Sequence, residues 1–462
     1  MTPELDELER GRREAAARGV VDDLIEQGVT GVAVTWVDNS GVTRVKTVPV
    51  ARLPHAAAWG IGASPVFDTF LVDDSMINGR YAGGPVGDLR LHPDIARLAV
   101  LDAQPGWAWA PADRYDTDGV PHPQCHRSLA RRLAAEMAAG GLTAKAAFEV
   151  EWAVSAADGD GFVPATHGPA YGMTRLIDLS DYAADILGAL AAEGVSVEQL
   201  HPEYASGQFE VSVAAEDPVA AADTLVLVRQ TIRALSARAG LRATFAPKVL
   251  ADGVGNGCHL HLSIWRDDRN LMAGGDGNFG LTPDGEGFAA GVLDRLPALL
   301  AIGAPSVASY LRLIPQHWAG AFACWGLENR EAALRFVTGA AGSGDHAANL
   351  EIKCFDGAAN PYLLVAGVLA AGRAGVAEKA ALPEPVAVDP ASIDPQIRLE
   401  RGIAALPARL DSALVAFERD PVLREALGTV LADTVAAVRR GEIALFADAT
   451  PEQVCARTRW VY

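Results

Sequence analysis

The chain has 462 residues, half of them hydrophobic (50%), and a formal charge of −19. At about 150 residues per domain, this length accommodates roughly two to three domains with a substantial core. The acidity excludes the basic footprint that nucleic acid or an anionic membrane surface would need.

Residues 1–28 are charged and helical in pattern, unlike a signal peptide. Residues 31–52 alternate around Asp38-Asn39-Ser40-Gly41 and predict a β-hairpin. A short α+β unit follows to residue 103, and residues 104–124, rich in Pro, Gly, Trp and Asp, read as a domain junction. Beyond it the periodicity predicts helices over 127–140, 179–193 and 219–239, strands over 143–154 and 209–213, and strands flanking a His-x-His motif. Residues 274–287 read as a polar glycine loop and 361–372 as a buried core helix, too short for a membrane span. A proline-rich connector over 382–395 leads to C-terminal helices over 395–440. Cys125, Cys258, Cys324, Cys354 and Cys455 form no C-x-x-C pair and read as reduced thiols of a cytoplasmic protein. The expected class is α+β, with a larger catalytic α/β domain following a small N-terminal one.

Chemistry concentrates in four segments. Gly255-Asn256-Gly257-Cys258-His259-Leu260-His261-Leu262-Ser263 runs from a glycine turn into two histidines on one strand face. Phe148-Glu149-Val150-Glu151-Trp152 places two carboxylates side by side, which is unfavourable unless a cation neutralises them or solvent screens them. His201-Pro202-Glu203 and Gly207-Gln208-Phe209-Glu210 add two acids, with Glu198 upstream, and Asn349-Leu350-Glu351-Ile352-Lys353 puts Glu351 and Lys353 on one face. Oxygen donors with a single imidazole suit Mg²⁺ or Mn²⁺ better than Zn²⁺. Arg312, Arg330 and Arg335 offer guanidinium forks for carboxylate or phosphate, and equally for surface ion pairs. There is no P-loop motif and no G-x-S-x-G.

Taken in order, these segments resemble the glutamine synthetase family. The resemblance rests on VTWVDNSGVTRVKTV, FEVEW, HPEYASGQFEV, PKVLADGVGNGCHLHLS, SYLRLIP, NREAALR and LEIKCFDGAANPYL, in unbroken order. It implies an N-terminal β-grasp domain over 20–115 and a catalytic domain over 116–462. It further implies a homo-oligomer, usually a dodecamer of two hexameric rings, with active sites between subunits. The implied cofactors are ATP and two or three Mg²⁺ (or Mn²⁺). Glu151, Glu203 and Glu210 would hold one metal, and Glu149, His259 and Glu351 the other. Glu198, His261, Ser263, Arg330 and Arg335 align with nucleotide and phosphate contacts. Glu151, Gly255, His259, Arg312 and Lys353 border glutamate. Asp73, Arg330 and Glu351 are the implied catalytic residues. The γ-carboxylate of glutamate would attack the γ-phosphate of ATP, and an amine would then displace phosphate.

The departures from the family pattern bear on the amine. Ammonia-using members carry a glutamate in the loop after R-L-x-P, where this chain has Trp318. An indole accepts no proton but packs on an alkyl amine or faces its cationic head. The acceptor is therefore expected to be a primary amine, ethanolamine ahead of a polyamine, with ammonia as the alternative. Lys353 and Asn349 stand where arginines are usual, and Val254 replaces an asparagine. The F-D-G-S-S signature is altered, leaving Asp73, with Asp68 and Asp74 close by, as the acid that deprotonates the amine. These changes also admit a glutamine-synthetase-like scaffold or nitrogen sensor without turnover. A dinuclear metal hydrolase is a third reading, and it leaves the arginines without a shared purpose.

Overall fold

The computed structural model describes residues 4–81, 83–156 and 159–462. Residues 1–3 of the expected N-terminal helical stretch lie outside the described residues. A helix over Glu7–Glu26 is capped by Asp6, whose carboxylate accepts from the Glu9 amide at 2.8 Å.

The strands of the first half are β1 (Gly31–Val37), β2 (Thr43–Pro49), β3 (Ile61–Ala63), β4 (Leu89–Pro93), β5 (Ala99–Val100), β6 (Trp107–Tyr115) and β7 (Thr143–Ser155). They are followed by β8 (Val197–Pro202), β9 (Gln208–Val213), β10 (Arg242–Thr244), β11 (Cys258–Arg266) and β12 (Arg269–Asn270). The last are β13 (Phe322–Leu327), β14 (Ala332–Val337), β15 (Asn349–Ile352) and β16 (Ala404–Ala405). A six-stranded sheet runs β2-β1-β6-β4-β3 with β5 on β6, and a ten-stranded sheet runs β16-β13-β14-β15-β11-β7-β9-β8 with β10 on β7 and β12 on β11. The class is α+β as expected, and the small sheet, with its hairpin, covering helices and parallel β1–β6 pair, has the β-grasp arrangement.

Two sequence expectations need correction. Residues 104–124 are not merely a junction, because β6 lies at the centre of the small sheet, parallel to β1 and antiparallel to β4. Its Pro and Trp content resembles a loop, yet every residue from Ala108 to Tyr115 is buried. Pro111 lacks an N–H, and its carbonyl accepts from the Asp94 amide at 2.9 Å. The glycine-rich 274–287 stretch ends as loop at Thr282, which caps a helix over Pro283–Gly303. That helix packs on the buried helix Pro361–Glu378, and a Cβ at Gly291 would strike the backbone of Ala371 and Gly375. The helical glycines, Gly285 and Gly287 among them, serve close packing, whereas Gly274 and Gly280 take left-handed backbone in the loop before the helix.

The main core lies between the large sheet and the helices His126–Ala139, Pro218–Arg238, Pro283–Gly303 and Pro361–Glu378. Phe148, Val150 and Trp152 of β7 enter it, each worth about 1.5–3 kcal/mol on burial, so Glu149 and Glu151 face away. A slip of one residue would drive both acids into the core, which pins the register. No helix among the described residues is long and apolar enough to cross a membrane.

Candidate active site

The polar face of the large sheet gathers side chains that lie far apart in sequence. Antiparallel pairing sets Glu149 (β7) opposite His259 (β11), His261 (β11) opposite Glu351 (β15), and Glu151 (β7) opposite Glu210 (β9). His201 on β8 lies opposite Glu210, and Arg335 on β14 opposite Glu351. Because strand neighbours alternate faces, these registers place carboxylates, imidazoles and guanidinium on one side.

Two clusters result. Glu149, His259 and Glu351 bring ligand atoms within 4.8 Å of one another, as do His201, Glu203 and Glu210. His259 Nδ1 lies 2.8 Å from Glu149 and 3.3 Å from Glu351, and its Nε2 lies 3.6 Å from Glu151, between the clusters. Arg312 Nη2 donates to His259 Nε2 at 3.1 Å and to the Lys353 carbonyl at 3.0 Å, while its Nη1 is buried without a partner among the described residues. Lys353 Nζ and Arg335 Nη1 donate to opposite oxygens of Glu351, at 3.0 and 2.9 Å.

The charges are frustrated. Burial, reinforced by Glu149, Glu151 and Glu203, pushes Glu210 up to about 11, so it keeps its proton at neutral pH. Glu203 is raised by burial and by Glu151. Burial also opposes charge on Glu351, yet Lys353, His261 and His259 hold it at about 2. Glu149 lies far below the usual range, its burial outweighed by His259 and His261. Acids this crowded fit a divalent cation, whose charge would ionise Glu210, and the oxygen-rich donor set matches Mg²⁺ or Mn²⁺.

The glycines of the turn have specific reasons. A Cβ at Gly257 would lie 2.8 Å from Glu151 Oε1 and 2.9 Å from Arg312 Nη2. One at Gly255 would lie 2.6 Å from Arg312 Cγ and 2.7 Å from the Pro247 carbonyl. Gln208, which the sequence reading passed over, binds three groups here: the Glu151 carboxylate (3.2 Å), the Gly255 carbonyl (2.9 Å) and Asn256 Oδ1 (2.9 Å). Its i, i+2 spacing to Glu210 on one strand was the available signal. His201 was also missed as a ligand candidate, although it stands two residues before Glu203. Tyr171 donates to Glu203 at 2.8 Å from a segment with no recognisable motif. Asn349 Oδ1 lies 2.9 Å from His261 Nδ1 while its amide donates to the Ala347 carbonyl, so it orients the imidazole.

The remaining expected residues make no hydrogen bond or ion pair to these two clusters among the described residues. Ser263 lies further along β11 and accepts from the Trp265 indole at 2.9 Å. Glu198 and Arg330 are exposed, and Trp318 sits on an exposed loop. Asp73 lies in the N-terminal half, against the C-terminal helices, with Arg457 at 3.9 Å. It accepts from the Ser75 amide and hydroxyl at 3.0 and 2.6 Å, which outweighs its partial burial and lowers its pKa. Asp68 is buried against Arg114 at 2.6 Å, and Asp74 pairs with Arg44 at 2.7 Å. Asp74 takes φ 62°, the left-handed backbone that favours glycine.

Comparison with known proteins adds to this geometry. A family profile described as "Glutamine synthetase, catalytic domain" matches residues 123–457. The "Gamma-glutamylpolyamine synthetase GlnA3" of Streptomyces coelicolor is 59% identical over 449 residues, covering 96% of each chain. A "Glutamate--methylamine ligase" of Methyloversatilis universalis is 30% identical over 439 residues, 88% of this chain and 91% of its own. A solved structure titled "Crystal structure of novel glutamine synthase homolog" superposes with a TM-score of 0.84 at 34% identity, over 94% of this chain and 99% of its own.

Proposed function

The chain belongs to the glutamine synthetase family, and from that premise we propose that it joins the γ-carboxylate of glutamate to a polyamine. It is an ATP-dependent glutamate–amine ligase, forming a carbon–nitrogen bond. The observation that carries the acceptor is the 59% identity to a γ-glutamylpolyamine synthetase over 96% of both chains. Ethanolamine, which Trp318 favoured in the sequence, becomes the rival acceptor, since a short apolar channel would suit it and an indole face serves either amine.

Family enzymes use ATP and divalent metals. In this reading Glu151, Glu203 and Glu210 would hold one Mg²⁺ or Mn²⁺, while Glu149, His259 and Glu351 would hold another. Bound there, the cations would offset phosphate charge and help align the transferred group. Arg330 and Arg335 grip phosphate oxygens with their forks, His261 steadies them, and Ser263 and Glu198 lie toward the nucleotide. Arg312, whose buried Nη1 has no partner among the described residues, would offer that N–H to the carboxylate of glutamate, with Gly255 and Lys353 beside it. The γ-carboxylate attacks the γ-phosphate and releases ADP, giving γ-glutamyl phosphate. The amine then attacks the acyl carbon and expels phosphate, while Asp73 takes the proton the nitrogen sheds. Asp73 makes no contact with its own chain's carboxylate cluster in the described residues, which supports sites shared between subunits of a ring assembly, with Asp73 completing a neighbour's site.

Phosphate release should be measured with spermidine, putrescine, ethanolamine and ammonium as rival acceptors under glutamate and ATP. The highest kcat/KM is expected with a polyamine. Preference for ammonium over every amine would defeat the reading, and ATP binding without acceptor-dependent turnover would favour the scaffold alternative.

A further inference from the structure

The loop leading into β13 carries two non-glycine residues in left-handed backbone, Gln316 at φ 62° and Trp318 at φ 52°, with Gly320 following at φ 69°. Side chains other than glycine resist that region, so the surroundings must hold the loop there. Trp318 is 55% exposed, whereas Glu331, immediately before β14, is 8% exposed. The two oxygens of Glu331 are divided between the loop's alternate peptides. The Trp318 amide donates to Oε1 at 2.8 Å and the Gln316 amide to Oε2 at 3.1 Å. Amides converging in this way form a nest for an anion, and the protein fills it with its own carboxylate.

The clamp is itself anchored. The Glu331 amide donates to Asn329 Oδ1 at 3.1 Å, and Asn329 donates onward to the carbonyls of Val386 (2.8 Å) and Val388 (3.0 Å). At its far end the loop abuts the active site, where a Cβ on Gly320 would lie 3.2 Å from Lys353 Cβ. We infer that Glu331 is a positioning residue for the acceptor amine, clamping the 315–320 loop so that the Trp318 indole forms a fixed wall of the acceptor entrance. The inference rests on the amine-ligase reading above. Its ligand is an alkyl amine whose ammonium or methylene groups lie on the indole face.

The test compares Glu331→Ala, Glu331→Gln and Trp318→Ala with the double variant Glu331→Ala/Trp318→Ala, using the acceptor the wild type turns over best. Glu331→Ala is expected to raise the acceptor KM by about tenfold, with the KM for glutamate and ATP changed less than about twofold. Glu331→Gln keeps one acceptor oxygen and should fall between. In the Trp318→Ala background, Glu331→Ala should add no further rise, because it acts through that indole. Amide exchange of the 315–320 segment should quicken in both Glu331 variants. Additive effects, an equal rise in all three KM values, or unchanged exchange would each overturn the proposal. If Glu331→Ala does not fold, Glu331→Gln supports the same comparisons. A wild type that prefers ammonium defeats the polyamine reading and the alkyl-amine ligand with it, whereas amide exchange in the Glu331 variants judges the clamp itself and so tells the two failures apart.

Discussion

Glu210 shows how one carboxylate reports on what the site requires. Opposite Glu151 and beside His201, it keeps its proton while the cluster lacks a cation, because burial and three neighbouring glutamates oppose its charge. Glu210→Gln resembles that neutral form in shape, so the metal-free variant should melt within about 2 °C of the metal-free parent. Added Mn²⁺ or Mg²⁺ should raise the melting temperature of the parent by mass action, and the variant should lose most of that gain. Differential scanning fluorimetry with and without metal decides it, and an equal metal-induced rise in both proteins would remove Glu210 from the ligand set.

At the scale of elements, the tip of the β1–β2 hairpin bolts the small sheet to the large core. Asn360 donates to the carbonyls of Val37 (3.0 Å) and Asp38 (3.1 Å), and Arg439 donates to the Asn39 carbonyl at 2.8 Å. Ser40 donates to the Phe70 carbonyl at 2.8 Å, and Asn39 to the Asp68 carbonyl at 2.8 Å, so the same tip also holds the segment leading to Asp73. Gly41 closes this turn at φ 79°, and a Cβ there would collide with the Ala358 carbonyl. Gly41→Ala therefore meets both left-handed strain and a backbone clash, and should cost at least about 2 kcal/mol. Denaturant titration of the variant beside the parent measures the loss. A change below about 0.5 kcal/mol would mean that the tip is not a rigid joint.

Across the whole molecule, buried groups of opposite kind shape the response to acid. Burial holds His92 at about 4, and burial with Arg114 nearby holds His126 at about 3, against an ordinary 6.5. Their folded pKa values are depressed, so the stability they contribute is present above 6.5 and is lost as pH falls toward 4 and 3. Glu193 and Glu442 are raised by burial to about 7 from 4.5, so each adds stability as pH falls from 7 to 4.5. Each proton is worth about 1.4 kcal/mol per pH unit, so these two pairs offset one another between 7 and 4.5. Below 4.5 the gains from Glu193 and Glu442 have ended while the histidine losses continue, joined by carboxylates held below their usual range such as Asp68 and Asp113. Glu210, Asp38 and Asp356 are likewise raised by burial and add stability as pH falls, so the metal-free protein should gain thermal midpoint from pH 7 to about 4.5 and then lose it at lower pH. His126→Asn should shallow the acid limb while lowering stability at pH 8, because His126 bridges the Val37 carbonyl, Asn39 and Asn360. An acid limb of unchanged slope would rule out His126 as a contributor.

Strand alternation is a local rule, so the orientation of Glu149 with Glu151, and of His259 with His261, was legible before any fold was known. The motif order likewise carried the family, and with it the α+β class. Composition misled where burial outweighs propensity: β6 looked like a junction because of its Pro and Trp, and residues 283–287, the first turn of the 283–303 helix, looked like loop because the glycines there serve contact. Which strands become neighbours is a long-range matter, settled by the shared core that sets β15 beside β11 and β9 beside β7. Gln208 reaches Glu151 only through that pairing, and Glu331 grips two left-handed peptides thirteen and fifteen positions away. Residue types reveal which chemistry a chain carries and which way each strand turns it. Hydrogen bonds and φ values that depend on distant backbone arise only once the core has closed, because nothing in the local chain encodes them.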